Sequence, residues 1–198
     1  MTLKSILVAF GVLTSIAVGG IVLWLKSTSL SARTPPSSIE TKAARQIRHL
    51  SIPSAARNQT NPLRASPELL IDARRHFADH CASCHANDGS GSTTIGQHLS
   101  PRSPDMRLAA TQALSDGELY YVIHNGIRFT GMPAWGAQEP DEDSWKLVLF
   151  IRHLPQLSAA EVTDMDKFNP KSDAERAEEQ AEQDFLDGKT VSIEPMHH

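Results

Sequence analysis

Two thiols and an imidazole fall within five consecutive residues, Cys81-Ala82-Ser83-Cys84-His85. The pattern C-x-x-C-H is the attachment signature of a c-type haem. The two sulfurs are expected to add across the two vinyl groups of one haem, and His85 to come up beneath the iron as an axial ligand. One helical turn spaces the sulfurs, so the attachment is local and cheap in chain entropy. The chain has only two cysteines, and both are here. None is left for a disulfide framework or a second such site. A thioredoxin-like C-x-x-C shares the spacing but belongs near a β-α-β pattern, which is not visible here. A structural zinc site wants four ligands and would have to recruit two more histidines from afar. The trailing His85 is what neither rival requires.

The positions that must hold these groups are helical. Ser66-Pro67-Glu68 reads as a helix start: a capping hydroxyl, proline at the first helical position, then an acid near the positive end of the dipole. Leu69, Leu70, Ala73 and Phe77 recur at helical spacing, and the helix runs into the motif. Residues 87–104 are rich in Gly, Ser, Thr and Pro and read as loop. Ser115-Asp116-Gly117-Glu118 is a capping box opening a second helix through Leu119, Val122 and Ile123, with Asn125-Gly126 as its stop. Another loop contains Gly131-Met132-Pro133-Ala134-Trp135-Gly136. From about Asp141 a third helix carries Trp145, Leu147, Val148, Leu149, Phe150, Ile151 and Leu154, apolar nearly all round, as a helix packed on both sides would be. Pro155 ends it. Ser158-Ala159-Ala160-Glu161 is a further capping box, with a short helix to about Phe168. Residues 174–186 look helical, polar and solvated. No strand and no internal repeat is expected, so the fold class is all-α.

The 198 residues carry a formal net charge of −4 and are 40% hydrophobic, which suits one modest domain with appendages. Small domains are hard to stabilise by side chains alone, and a covalently held haem would supply apolar bulk. Four stretches are expected: an N-terminal membrane anchor or uncleaved signal (1–26), a basic Ser/Pro-rich flexible tether (27–66), a haem domain (67–157) and an acidic, partly helical extension (158–198). Ser5 to Leu25 is uncharged and almost wholly apolar. About 20 such residues span a bilayer, and Trp24 fits an interface. A cleaved signal peptide should have a shorter apolar region; Ser29-Leu30-Ser31 is only a weak cleavage site. Length therefore favours a retained anchor. The charge near the span does not fix its orientation, because Lys26 and Arg33 lie on the exported side. A flexible tether of about 40 residues has a typical span near 35 Å. It serves either movement between partners or plain clearance from the membrane. In the tail, an acidic run follows Asp173, and Met196-His197-His198 reads as a frayed end.

Taken in order, helix, C-x-x-C-H, long loop, helix, Met-bearing loop and terminal helix, the stretch from Pro67 to Leu157 resembles a class I monohaem cytochrome c. The segment Asn125-Gly126-Ile127-Arg128-Phe129-Thr130-Gly131-Met132-Pro133-Ala134-Trp135 is similar to the one that delivers the second iron ligand in that family. The resemblance implies a fold of about three to five helices wrapped around one covalently bound haem c, preceded by a single transmembrane helix, with His85 and Met132 as the axial ligands. A thioether stabilises ferrous iron and raises the potential relative to a second imidazole. Gly131 would permit close approach of backbone to haem, and Pro133 would stiffen the loop.

Among rival ligands, Met106 is expected to cap the core, Met165 and Met196 to fall outside the domain, and His98 and His124 to be surface or structural. In the family a proline after the motif accepts the N–H of the ligating ring; Pro101 is the candidate and Pro104 the alternative. Arg102, Arg128 and Trp135 are candidates to hydrogen-bond the propionates, with a solvated face as the competing reading for each arginine. Trp145, Phe150 and Phe77 are expected to pack the terminal helices together. Ala73 and Ala86 stand where the family commonly has glycine. Each adds a methyl, and slightly wider helix spacing is expected.

The resemblance implies an electron carrier needing no catalytic acid, base or nucleophile. It also implies a location at the bacterial inner membrane, with the haem domain on the periplasmic side, or soluble there after cleavage. The partners implied are a respiratory complex, a terminal oxidase or a periplasmic dehydrogenase, and no nucleic acid. Two rivals stay open: a haem enzyme or gas sensor with an open sixth position, and a haem-bearing subunit of a larger oxidoreductase.

Overall fold

A computed structural model describes residues 3–27, 31, 33–136 and 141–187. Ser29-Leu30 of the weak cleavage site and the terminal Met196-His197-His198 lie outside them. Among the described residues every regular element is helical. The chain divides into two compact units, with the boundary between Gln46 and Ile47.

The first unit contains α1 (Leu3–Ser27) and opens α2 (Ser38–Ser51). None of α1 is buried, and its length and apolar composition are sufficient to cross a membrane. It is consistent with an anchor or with a signal sequence. The start of α2 is capped reciprocally: Ser37 Oγ accepts from the Glu40 backbone at 3.2 Å, and the Glu40 carboxylate accepts from the Ser37 backbone at 2.6 Å.

The second unit begins earlier in the chain than Pro67. Ile52 is 2% exposed, and Leu63 packs against the core. The short α3 (Ser54–Arg57) lies on α8 (Asp116–Asn125), which follows the one-turn α7 (Ala109–Gln112). The Ser115 hydroxyl donates to the Arg57 carbonyl at 2.7 Å, and Asn61 Nδ2 donates to the Trp145 carbonyl at 2.9 Å. The expected tether of 27–66 is therefore packed over its last part. Its isolated apolar residues, Ile52 and Leu63, are anchors spaced too irregularly to announce themselves as an element.

The core is built on α4 (Pro67–His76) against α9 (Glu142–His153). Ser66 Oγ accepts from Leu69 N, and Asp141 caps α9 by accepting from Ser144 N. Ala73, Phe77, Val148 and Phe150 are each at most 1% exposed. The Phe77 and Phe150 rings meet at 5.0 Å between centroids. Burying a side chain of this size contributes about 1.5–3 kcal/mol, so this pair holds the two helices together. Trp145 lies in the same core cluster and also stacks on Tyr120 of α8 at 4.1 Å, joining α9 to α8.

The C-terminal boundary also differs. The helix α10 (Ala159–Met165) follows its Ser158–Glu161 capping box, and Met165 is fully buried in the same core. Arg74 binds Asp164 at 3.0 Å, Asn87 donates to Asp166 at 2.8 Å, and the Arg75 guanidinium lies over Phe168. Met165, expected outside the domain of 67–157, follows a polar turn after Pro155. In fact that turn folds back. In the described part of the extension, α11 (Asp173–Leu186) is solvated as expected, with no buried residue.

Candidate functional site

The site begins where α4 loses its regular pitch. Phe77–Cys81 forms a π turn, and α5 (Ala82–His85) follows it. Single π turns within α-helices concentrate at functional positions, because the wider turn re-aims the side chains beyond it. Here those side chains are Cys81, Cys84 and His85. The helix stops at Ala86, whose backbone lies at φ 60, ψ 156. Turns then close tightly: Gly89 N donates to Ala86 O and Gly91 N to His85 O. The departure at Ala86 is therefore one of backbone conformation, with a residue bearing Cβ held where glycine is at ease.

The loop after the motif wraps the motif's own backbone. The Thr93 hydroxyl donates to the Cys84 carbonyl at 3.1 Å and accepts from Gly96 N at 2.9 Å, capping α6 (Thr94–His98). Gln97 Nε2 reaches the Gly91 carbonyl at 2.8 Å. A Cβ on Gly96 would stand 2.1 Å from the Cys84 carbonyl oxygen, so only glycine lets α6 approach so closely. Neither Thr93 nor Gly96 was singled out from the sequence. The signal was a glycine spaced three residues from a hydroxyl in a stretch read simply as loop.

Cys81 and Cys84 form no disulfide. Burial, and then the neighbouring Cys84, push the Cys81 thiol up to about 12. Burial pushes His85 down to about 4, so its ring is neutral at physiological pH. Its Nδ1 is buried and has no hydrogen-bond partner among the described residues. An unsatisfied buried donor or acceptor costs about 1–3 kcal/mol, and a neutral imidazole is the form that ligates a metal. Two unbridged thiols and a neutral, under-satisfied imidazole fit a covalently attached haem. Bound there, the group would supply a one-electron couple at iron. Pro101 and Pro104 are both exposed, and neither carbonyl bonds His85 Nδ1.

Met132 is half-buried in a loop that hangs between α8 and α9. Its carbonyl accepts from Ile127 N at 3.0 Å, and its own N–H donates to Thr130 Oγ1 at 3.1 Å. Gly126, at φ 66, makes the turn into the loop, where a Cβ would stand 2.8 Å from the Met132 carbonyl oxygen. A Cβ on Gly131 would meet Leu99 at 2.6 Å. Gly131 thus admits the side chain of the loop that wraps Cys84 and His85. On the other side, the Trp135 ring stands edge-on to His80 at 5.6 Å. The Met132 loop is therefore attached on two sides to the segments flanking Cys81–His85.

The remaining candidates are dispersed. Arg128 is exposed beside Phe129, which is 94% exposed at φ 62. Arg102 is half-buried. His98 is exposed and bonds the Thr94 carbonyl through Nδ1. His124 pairs with Asp141 at 2.9 Å. Met106 is buried in the core at 6%, as expected. Among the described residues no three His, Cys, Asp or Glu side chains converge on a ready-made ion site.

Residues 69–151 match the family model described as cytochrome C oxidase, cbb3-type, subunit III. The match covers less than half of the chain and supports a c-type cytochrome domain over these residues. No curated protein matches the chain.

Proposed function

We propose that this chain is a membrane-tethered monohaem electron carrier, its iron held by His85 on one face and Met132 on the other. Cys81 and Cys84 form the two thioethers. The observation that carries this reading is the double attachment of the Met132 loop, through Leu99 to Gly131 and through His80 to Trp135, beside a neutral, half-buried His85. Two ligands that stay bound in both oxidation states let an electron pass with little rearrangement, and a thioether favours the ferrous form. The second unit supplies a fixed frame, exclusion of water and a tuned potential; no acid or base is required. The apolar α1 suits an anchor in the bacterial inner membrane, with the haem domain on the periplasmic side and a terminal oxidase or another respiratory complex as partner.

The test is spectroscopic. The purified ferric protein is expected to show the weak near-infrared sulfur-to-iron band, lost in Met132→Ala, and the ferrous form is expected to resist carbon monoxide. Rapid carbon monoxide binding by the unaltered protein at neutral pH would sink the carrier reading in favour of a gas-binding haem.

A second reading has one specific support, the oxidase subunit in the description of the matched family. On it, the chain is a resident subunit of a terminal oxidase and not a free shuttle. Extraction in mild detergent separates the two: a subunit migrates with its complex, a shuttle alone.

A further inference from the structure

We propose that His124 and Asp141 are positioning residues that clamp the returning end of the Met132 loop and so set how readily the methionine leaves the iron. The proposal rests on Met132 being the ligand, as proposed above.

The loop leaves α8 at Gly126 and returns along it. Trp135 N donates to Ile123 O at 3.1 Å, and Gly136 N donates to His124 O at 3.0 Å. The His124 ring lies directly against the returning strand of loop, where a Cβ on Gly136 would stand 2.0 Å from its Nδ1. That same Nδ1 pairs with Asp141 Oδ2 at 2.9 Å. Asp141 is 7% exposed and is fixed in turn: its carboxylate accepts from Ser144 N at 3.1 Å and from the Ser144 hydroxyl at 2.5 Å, capping α9. A carboxylate at that place is also favoured by the helix dipole. These bonds hold its carboxyl below the usual range, although burial opposes them. The ring of His124 stacks on Tyr120 at 5.4 Å, and Tyr120 on Trp145 at 4.1 Å.

The returning end of the loop is thus tied to α8 by two backbone bonds, and the imidazole it rests on is fixed to the N-cap of α9. Opening of the loop, which frees the iron's sixth position, must pull Gly136 off a His124 ring that the Asp141 bond holds in place. A mostly buried bond to a charged group shifts such an opening equilibrium by about tenfold or more when removed.

The experiment uses the full-length, haem-loaded protein in detergent, with cyanide as probe. His124→Phe keeps a ring against Tyr120 and Gly136 but cannot bond Asp141. It is expected to keep the sulfur-to-iron band while cyanide displaces Met132 about tenfold faster. Met165→Ala, a core change on α10 that leaves the His124–Asp141 bond in place, is expected to lower the unfolding midpoint and leave the cyanide rate unchanged. Should His124→Phe not load haem, Asp141→Ala, which cannot accept from His124, is read in the same way against the Met165→Ala control. An unaltered protein lacking the band removes the ligand assignment itself. An unaltered protein with the band, whose clamp variants take up cyanide at the parental rate, overturns the clamp alone.

Discussion

A Cβ placed on Gly117 would stand 1.9 Å from the carbonyl oxygen of Ala56. The first turn of α8 therefore rests on the backbone of the segment that precedes the haem domain proper. The contact is reinforced by His49, whose Nδ1 donates to Glu118 at 2.9 Å, and by the Ser115 hydroxyl on the Arg57 carbonyl. Glu118 serves its own capping box with its other oxygen, so the helix start and the strap share one carboxylate. Gly117→Ala is expected to separate them. Overpacking of this kind costs about 1–3 kcal/mol. Denaturant unfolding should show that loss, and limited proteolysis should cut within 47–64 in the variant first.

Ala86 gives the opposite sign. Its φ of 60 with ψ of 156 lies in a region that residues with a side chain rarely occupy, at a cost of about 1–3 kcal/mol. Three hydrogen bonds hold the turn there: Ala86 N to Ala82 O, Gly89 N to Ala86 O, and Gly91 N to His85 O. Ala86→Gly relieves the strain without altering those bonds. Part of the gain is offset by the greater freedom of glycine in the unfolded chain. A net stabilisation of about 1 kcal/mol is expected, read from the unfolding midpoint of the haem-loaded protein. A destabilised variant would mean that the Ala86 methyl packs usefully.

Most helices were legible because their starts are chemically marked. Ser66-Pro67, the Ser115–Glu118 box and the Ser158–Glu161 box each act through bonds two or three residues away, and each is found where the sequence placed it. The motif residues were equally plain, since C-x-x-C-H is local. What the sequence did not disclose depends on distant partners. Ile52, Leu63 and Met165 are lone apolar residues in polar surroundings, and nothing local says that a core waits for them. The same holds for Gly96 and Gly117, whose need to be glycine comes from a carbonyl on another segment. Trp145 was legible as buried, but its partner, Tyr120, was not.

Met165 tests the reach of the core beyond the matched residues 69–151. It is fully buried among the same side chains as Phe77 and Phe150, though it lies on α10. Met165→Ala is expected to cost about 2–5 kcal/mol, as for other large-to-small changes in a packed interior. Removal of residues 158–198 should do at least as much harm, since it also takes away the Asp164 partner of Arg74. Thermal unfolding followed through the haem absorbance measures both. A truncated chain as stable as its parent would place α10 outside the cooperative unit.

The docking of α10 should also depend on pH in a defined window. Backbone and hydroxyl bonds from Ser158, with His153 adding to them, bring the Glu161 carboxyl down to about 2. Its two oxygens accept from Ser158 N at 2.9 Å and meet His153 Nε2 at 3.1 Å, with Arg74 at 3.5 Å. A carboxyl whose folded value lies below its unfolded value contributes stability at every pH above the unfolded value. That contribution fades as pH falls from about 4.5, its ordinary value, to about 2. The Glu161→Gln variant keeps the shape and lacks the charge. It should be less stable than the parent at neutral pH, and the gap should close through that window as the parent's carboxyl takes up its proton. Unfolding midpoints of both proteins across the range decide the matter: a gap that stays constant into acid would show that the charge of Glu161 does not hold α10 in place.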